Sequence, residues 1–181
     1  MGEVVYYGEL KTTIDDKSRV TIPSRMRQTM RVLKHSDWYM TCGYDGCIFL
    51  YPEQEWQRVL EHFNQFGPLD PRALDFRRLL FSSVSEAVLD GQGRMQLVPY
   101  LREHAGLEPR QEAVIIGVGR HIEIWSVPAW RAFREQREAQ LKELAGDISP
   151  PRLGQGRAVA AIGDDTDNTS NVPSEGERAR T

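Results

Sequence analysis

The sequence predicts a mainly β fold with short helices, an α+β body in which one module is used twice around an approximate twofold axis. Two observations carry this prediction. Asp15-Asp16-Lys17-Ser18-Arg19 heads a stretch that reaches a second arginine at Arg27, and Asp90-Gly91-Gln92-Gly93-Arg94 heads one that reaches Arg102 with the same internal spacing. Ile48-Phe49-Leu50-Tyr51 followed by Trp56 is then matched by Ile122-Glu123-Ile124-Trp125 followed by Trp130, so the register drifts by one residue across the unit. Two copies are too few for a solenoid, in which each unit covers its neighbour, so a closed twofold body is expected instead. Such a body presents every loop twice, which suits a repeated or extended ligand better than a single catalytic centre.

The elements follow in the same order in each copy. Leu10 to Ile14 and Arg19 to Ile22 are short β-prone runs around a polar Asp-Asp-Lys-Ser turn, and Val88-Leu89 and Arg94 to Val98 flank Asp90 to Gly93 in the same way. Each pair reads as a hairpin with the charged motif at its tip. A helix is expected next: Pro23 suits a first helical turn and Met26, Met30 and Leu33 share a face, while Pro99 opens a shorter Leu101 to Ala105 helix stopped by Gly106. A second hairpin comes after it, with Trp38 to Cys42 and Cys47 to Tyr51 around Asp45-Gly46, and Ala113 to Val118 and Ile122 to Trp125 around Gly119-Arg120-His121. An amphipathic helix closes each copy. Trp56, Val59, Leu60 and Phe63 form one stripe, and Trp130, Phe133, Arg137, Leu141 and Leu144 form another, close to a heptad. The modules so defined span residues 9–55 and 84–129, with a C-terminal helix over 130–145.

Composition limits the functions available. The 181 residues are 40% hydrophobic, enough to bury a core. No apolar run approaches the roughly 20 residues of a spanning helix, and the start MGEVVYYGELK lacks a basic region followed by an apolar one, so a cytoplasmic protein is expected. The net charge of -3 argues against indiscriminate nucleic-acid binding, but its distribution matters more. Residues 1–35 hold seven cations against four anions, a local +3, whereas residues 146–181 hold six anions against four cations. From Gly163 the tail is Asp, Asn, Ser, Thr, Gly and Glu without hydrophobic period, which predicts disorder after Pro150-Pro151.

IDDKSRVTIP, DGCIFLYP with Trp56, LDGQGRMQLVPYLREHAGL and VIIGVGRHIEIW together resemble the MraZ family of bacterial transcriptional regulators, built from two SpoVT/AbrB-like modules. The resemblance covers roughly residues 4–145. It implies a double-split β-barrel, assembly of the chain with itself into a homo-oligomeric ring, and a nucleoid-associated protein. It also implies sequence-specific binding of double-stranded promoter DNA, at short repeats upstream of the division and cell-wall gene cluster. No cofactor and no metal are implied.

The residues agree with this on their own terms. Lys17, Arg19 and Arg94 lie at the motif tips, where arginine can bond two acceptors on guanine and lysine can neutralise phosphate. Arg25 and Arg27 stand near a helix start, and Arg102 is the second copy's counterpart of Arg27. Asp15 and Asp90 are assigned to turn geometry, either as ion-pair partners of Arg19 and Arg94 or as turn formers, since phosphate would repel them. Some positions depart from the family's habit. Ser18 stands where glycine is frequent and Tyr7 where arginine is frequent, while Gln92 lies opposite Lys17 and Tyr100 opposite Arg25, making the second copy less basic.

Other chemistry is poorly supported. Cys42 and Cys47 flank a turn without a second pair or a histidine at ligand spacing, so small buried hydrophobes are expected rather than zinc. His35, His62, His104 and His121 are scattered and read as surface or cap residues. Gly117-Val118-Gly119 and Gly154-Gln155-Gly156 lack the third glycine of a dinucleotide loop, and no Walker loop, Gly-x-Ser-x-Gly or His-Glu-x-x-His occurs. Trp56 and Trp130 hold equivalent helix positions, which suits packing rather than base stacking. An antitoxin-like protein-interaction module is the alternative reading, because AbrB-type hairpins occur there as well. A hydrolase using Asp15, Asp16 and Asp90 would need a general base that the sequence does not supply.

Overall fold

The computed structural model describes residues 4–65, 71–138 and 140, all within one unit of the chain. Its elements are β1 (Tyr6–Thr13), β2 (Arg19–Thr21), α1 (Ser24–Val32), β3 (Trp38–Cys42), β4 (Ile48–Pro52), α2 (Glu53–Asn64), α3 (Pro71–Ser82), β5 (Ser85–Ala87), β6 (Arg94–Gln96), α4 (Pro99–His104), β7 (Glu112–Gly119), β8 (His121–Ser126) and α5 (Val127–Glu138). Setting α3 aside, the order strand, strand, helix, strand, strand, helix occurs twice. The duplicated module is therefore a structural unit, and α3 is the connector between its copies.

The strands are shared between the copies. A six-stranded antiparallel sheet runs in the order β1-β7-β8-β4-β3-β5, and β2 pairs with β6 in a separate ribbon. Exchanging each strand for its counterpart in the other copy reverses the sheet order and leaves it otherwise unchanged. This is the signature of a twofold axis passing between β4 and β8. The registers agree: Ile48 faces Ile124 and Leu50 faces Ile122 around Phe49 and Glu123, while Arg19 faces Gln96 and Thr21 faces Arg94 around Val20 and Met95.

This topology corrects the expected hairpin tips. The runs on either side of the Asp15 motif meet only through a single bridge, Ile14 to Val20; β1 pairs instead with β7, and β2 with β6, both from the other copy. Around the second motif, Val88 and Leu89 lie outside any strand, and β5, just before them, pairs with β3. Period-two alternation states which face of a strand is buried but not which strand lies beside it. The hairpins predicted from turn chemistry do form, as β3 with β4 and β7 with β8.

One core fills the interior, drawn from both copies: Val20, Ile22, Met26, Met30, Trp38, Met40 and Leu50 pack with Met95, Leu97, Leu101, Leu107, Ile115, Ile122 and Ile124. Full burial of an aliphatic side chain of this size contributes about 1.5–3 kcal/mol, and neither copy could bury its share alone. Helix α1 supplies Met26 and Met30 one turn apart, with Pro23 immediately before its first residue, and α4 supplies Leu101 with Pro99 at its first position. A second cluster of Cys47, Phe49, Val114 and Trp125 is covered by Trp130 and Phe133 of α5. Cys42 packs against the first cluster and Cys47 lies in the second, so the two thiols belong to different cores and are free. Trp56 is buried and stacks on Tyr39 with ring centroids 5.7 Å apart, as expected for a packing residue.

Helix α3 was not expected from the sequence. Leu80 faces inward, but Leu79 and Phe81 on either side of it are exposed, so no clean stripe marks the helix. A buried polar knot fixes its end: Thr41 Oγ1 donates to Leu80 O at 2.9 Å, and Cys42 N–H donates to Ser83 Oγ at 3.1 Å. The closing helix α5 starts at Val127, three residues before its expected start. Beyond Glu138 the expected 130–145 helix lies outside the described residues except for Gln140, which is in a turn, and the 146–181 tail lies outside them entirely.

Candidate nucleic-acid interface

The two Asp-x-x-x-Arg motifs form matching loops at the ends of the β2–β6 ribbon. In the first, Asp15 Oδ1 accepts hydrogen bonds from the backbone N–H of Lys17 and of Arg19, both at 2.9 Å, and Asp15 Oδ2 accepts from Arg19 Nε at 2.7 Å. In the second, Asp90 Oδ1 accepts from the N–H of Gln92 and of Arg94, again both at 2.9 Å, and Oδ2 from Arg94 Nε at 2.9 Å. Short polar side chains that bond the backbone two residues ahead are what a turn of this kind requires. Each aspartate thus bonds the backbone of its turn and pairs with its arginine.

The loops also interlock. Arg19 Nη1 reaches Asp90 Oδ2 at 3.8 Å and Arg94 Nη1 reaches Asp15 Oδ2 at 3.9 Å, so each guanidinium bridges the two copies. Leu97 N–H donates to Ser18 O at 3.0 Å, and Ile22 N–H donates to Gly93 O at 2.8 Å. Arginine contacts and accepted N–H bonds both favour the charged carboxylate. The Arg19 hydrogen bond is the main cause holding the Asp15 carboxyl below the ordinary range, and the Arg94 hydrogen bond does the same for Asp90, lowering it to about 2. Arg19 is shifted the other way, chiefly by its hydrogen bond to Asp15.

Ser18 and Gly93 are the equivalent residues of the two loops, and both adopt the left-handed conformation, at φ 60° and 81°. Ser18 therefore makes the same turn as Gly93, at the steric cost of a Cβ in that region. What differs is the surroundings. The Arg27 side chain lies over Gly93 so closely that a Cβ there would come within 2.6 Å of it. Its Nε is buried and has no hydrogen-bond partner among the described residues. Over the first loop the cover is instead Gln96, whose Nε2 donates to the carbonyl oxygens of Lys17 at 3.0 Å and Ser18 at 3.3 Å.

The sequence-chosen residues thus separate into groups. Asp15, Arg19, Asp90 and Arg94 form one four-charge cluster, with the arginine side chains about a quarter exposed (26% and 22%). Lys17 is exposed beside it, and Arg27 borders it through Gly93. Arg25 stands apart from that contact set, with its guanidinium carbon 4.3 Å from the centre of the Tyr7 ring. Tyr7 thus holds Arg25 by a cation–π contact. Arg102 is committed to its own helix end, donating to Glu108 at 2.7 Å and to Leu107 O at 3.2 Å. Gln96 escaped the sequence reading, because an exposed glutamine on a three-residue strand carries no spacing signal.

The remaining candidates stay structural. His35 Nδ1 lies 2.7 Å from Tyr6 Oη, His104 Nε2 lies 2.9 Å from Gly43 O, and His121 stacks on Tyr51. Burial pushes the Cys47 thiol up, and among the described residues no group of three or more His, Cys, Asp or Glu could hold a metal. No described helix is long and apolar enough to cross a membrane.

A module used twice with its strands exchanged, its twin loops linked by arginines, defines a class of duplicated, strand-swapped bodies. The family follows from comparison with known proteins. The profile of the family described as "MraZ protein, putative antitoxin-like" matches residues 5–78 and again 80–147, one match for each copy. The chain is 38% identical over 143 residues to the transcriptional regulator MraZ of Heliobacterium modesticaldum, covering 78% of this chain and 94% of that one. It is 38% identical over 141 residues to that of Thermomicrobium roseum, covering 78% and 95%, and 37% identical over 149 residues to that of Lactobacillus gasseri, covering 82% and 100%. The chain belongs to the MraZ family of transcriptional regulators, a non-enzymatic family.

Proposed function

We propose that the chain binds double-stranded promoter DNA sequence-specifically, with the interlocked loop pair entering a groove. The observation that carries this reading is the linking of two partly exposed loops, one bearing Lys17, into a single pair with basic residues beside it. Arg19 and Arg94 each use one edge of the guanidinium on their own aspartate. A guanidinium has five N–H groups in a fixed fork, so donors remain for phosphate or a guanine edge. Lys17, Arg25 and Arg27 then supply phosphate neutralisation, with the first copy contributing more than the second. Arg102 is the weakest member of the proposed set, being held by Glu108.

The finer architecture belongs to the same proposal. The described strands make an open sheet and a separate ribbon, and we read these as the two parts of a double-split barrel, with modules at 9–55 and 84–129. Several copies of the chain, joined as a ring, would each engage one of a series of short promoter repeats upstream of the division and cell-wall genes. One small loop pair per copy gives modest affinity, and simultaneous engagement multiplies it. The protein would then work in the cytoplasm, associated with the nucleoid. The antitoxin-like wording of the family description favours one second reading, a module that binds a protein partner.

Fluorescence anisotropy separates the two. The wild type and an Arg19→Ala variant are titrated with the duplex upstream of the chain's own gene and with a scrambled duplex, at low and moderate salt. Promoter binding should prefer the native duplex, fall steeply with salt through counterion release, and weaken at least about tenfold in the variant, the loss expected for one good bidentate contact. Equal wild-type affinity for both duplexes would sink the promoter reading and favour the protein partner.

A further inference from the structure

We infer that Gln96 is a positioning residue for DNA binding, a side chain of the second copy that sets how Lys17 of the first copy is presented. The inference rests on the promoter-binding reading above. Gln96 stands opposite Arg19 in the β2–β6 ribbon, on the exposed face of the strand. Its amide nitrogen meets three carbonyl oxygens, those of Lys17 (3.0 Å), Ser18 (3.3 Å) and Leu97 (3.2 Å). An amide has two hydrogens to give, and two of these three oxygens belong to the loop. The Lys17 and Ser18 carbonyls border the one residue of that loop in the left-handed region, Ser18. The brace therefore grips the backbone where the conformation is least favourable for a side-chain-bearing residue.

The device is one-sided. The residue equivalent to Gln96 in the first copy is Thr21, too short to span to the second loop, whose corresponding cover is the Arg27 side chain lying over Gly93. Among the described residues the Lys17 amine has no partner, so what the fold is seen to hold there is its backbone. Aspartate 15 fixes the N–H side of Lys17 and Gln96 fixes the carbonyl side. With both sides held, the stem leaves the loop in one direction, and the entropy of ordering it on a phosphate is reduced before DNA arrives.

The test is a double-mutant cycle read by promoter binding. Gln96→Ala, Lys17→Ala and the double variant are titrated with the native and scrambled duplexes over a salt series, with thermal unfolding of each. Gln96→Ala should bind the native duplex about three- to tenfold more weakly, the range for loss of one or two hydrogen bonds. In the Lys17→Ala background the same substitution should have almost no effect, because residues acting as one unit are not additive. Gln96→Glu, which cannot donate and places a carboxylate against three carbonyl oxygens, should bind at least as weakly as Gln96→Ala. Full affinity of Gln96→Ala, or equal losses with and without Lys17, overturns the inference while leaving promoter binding intact. A wild type that fails to distinguish the two duplexes overturns the promoter reading itself, and this inference with it.

Discussion

The loop Asp15 to Arg19 and the loop Asp90 to Arg94 have the same backbone and different surfaces. Each has an aspartate that accepts two N–H bonds and one arginine, and each turns through a left-handed residue. Between those fixed points the first loop carries Asp16, Lys17 and Ser18, and the second carries Gly91, Gln92 and Gly93. The first is braced by a glutamine amide and the second by a guanidinium lying over a glycine. The comparison teaches that the aspartate–arginine pair specifies the loop's shape, while the three residues inside it are free to specify what the loop touches.

The largest expected effect divides the loops by what they touch. Lys17→Ala should weaken promoter binding about tenfold and lower the slope of log affinity against log salt by about 1, as removal of one phosphate contact does. Gln92→Ala should leave that slope unchanged, because an uncharged side chain releases no counterion. Titrations over a salt series check both, and equal slopes for the two variants would erase the proposed difference between the loops.

A smaller effect divides the loops by the space above the left-handed residue. Gly93→Ala adds a Cβ at φ 81° and within 2.6–2.8 Å of Arg27, so it should cost about 1–3 kcal/mol. Ser18→Gly removes a Cβ from φ 60° and should stabilise by up to about 1 kcal/mol, the relief being partly offset by the greater freedom of the unfolded chain. Urea unfolding of both variants gives the two signs directly.

The smallest effect is in acid. A carboxylate whose folded pKa is depressed contributes stability that is present above its unfolded value near 4 and lost as pH falls through the folded value. For Asp90 that window runs from about 4 down to about 2, and Asp15 is shifted in the same direction. Thermal midpoints of the wild type should therefore fall across this window more steeply than those of Asp90→Asn, which cannot titrate there.

Much of this was legible in the sequence, for reasons that also explain what was not. Duplication showed because Asp15 to Arg27 and Asp90 to Arg102 keep one spacing, and the β3–β4 and β7–β8 hairpins showed because Asp45-Gly46 and Gly119-Arg120-His121 are local turns. The strand exchange did not show. Nothing within Arg19 to Thr21 distinguishes β6 as a partner from β1, since pairing is decided by burial across the whole core. For the same reason the i,i+4 spacing revealed Asp15 with Arg19 but not the approach of Arg19 to Asp90. Helix α3 was hidden by Leu79 and Phe81, whose exposed apolar side chains blur its period. The proposed contact residues were legible as cations, but which of them are spoken for, as Arg102 is by Glu108, is a matter of tertiary structure.

The palindromic strand order has a consequence for how this molecule can change over time. A single copy of the module would keep its β3–β4 hairpin but leave β1, β2 and both outer edges of that hairpin unpaired, so it would complete its sheets only by finding another copy of itself. In a dimer of identical chains, any substitution in one loop is imposed on both. Once the halves are carried on one polypeptide, that constraint lapses, and Lys17 and Gln92 can stand at equivalent places on one scaffold. Covalent linkage thus turns a symmetric pair of loops into one with a left and a right hand, which under the proposed function could give a stretch of DNA a direction.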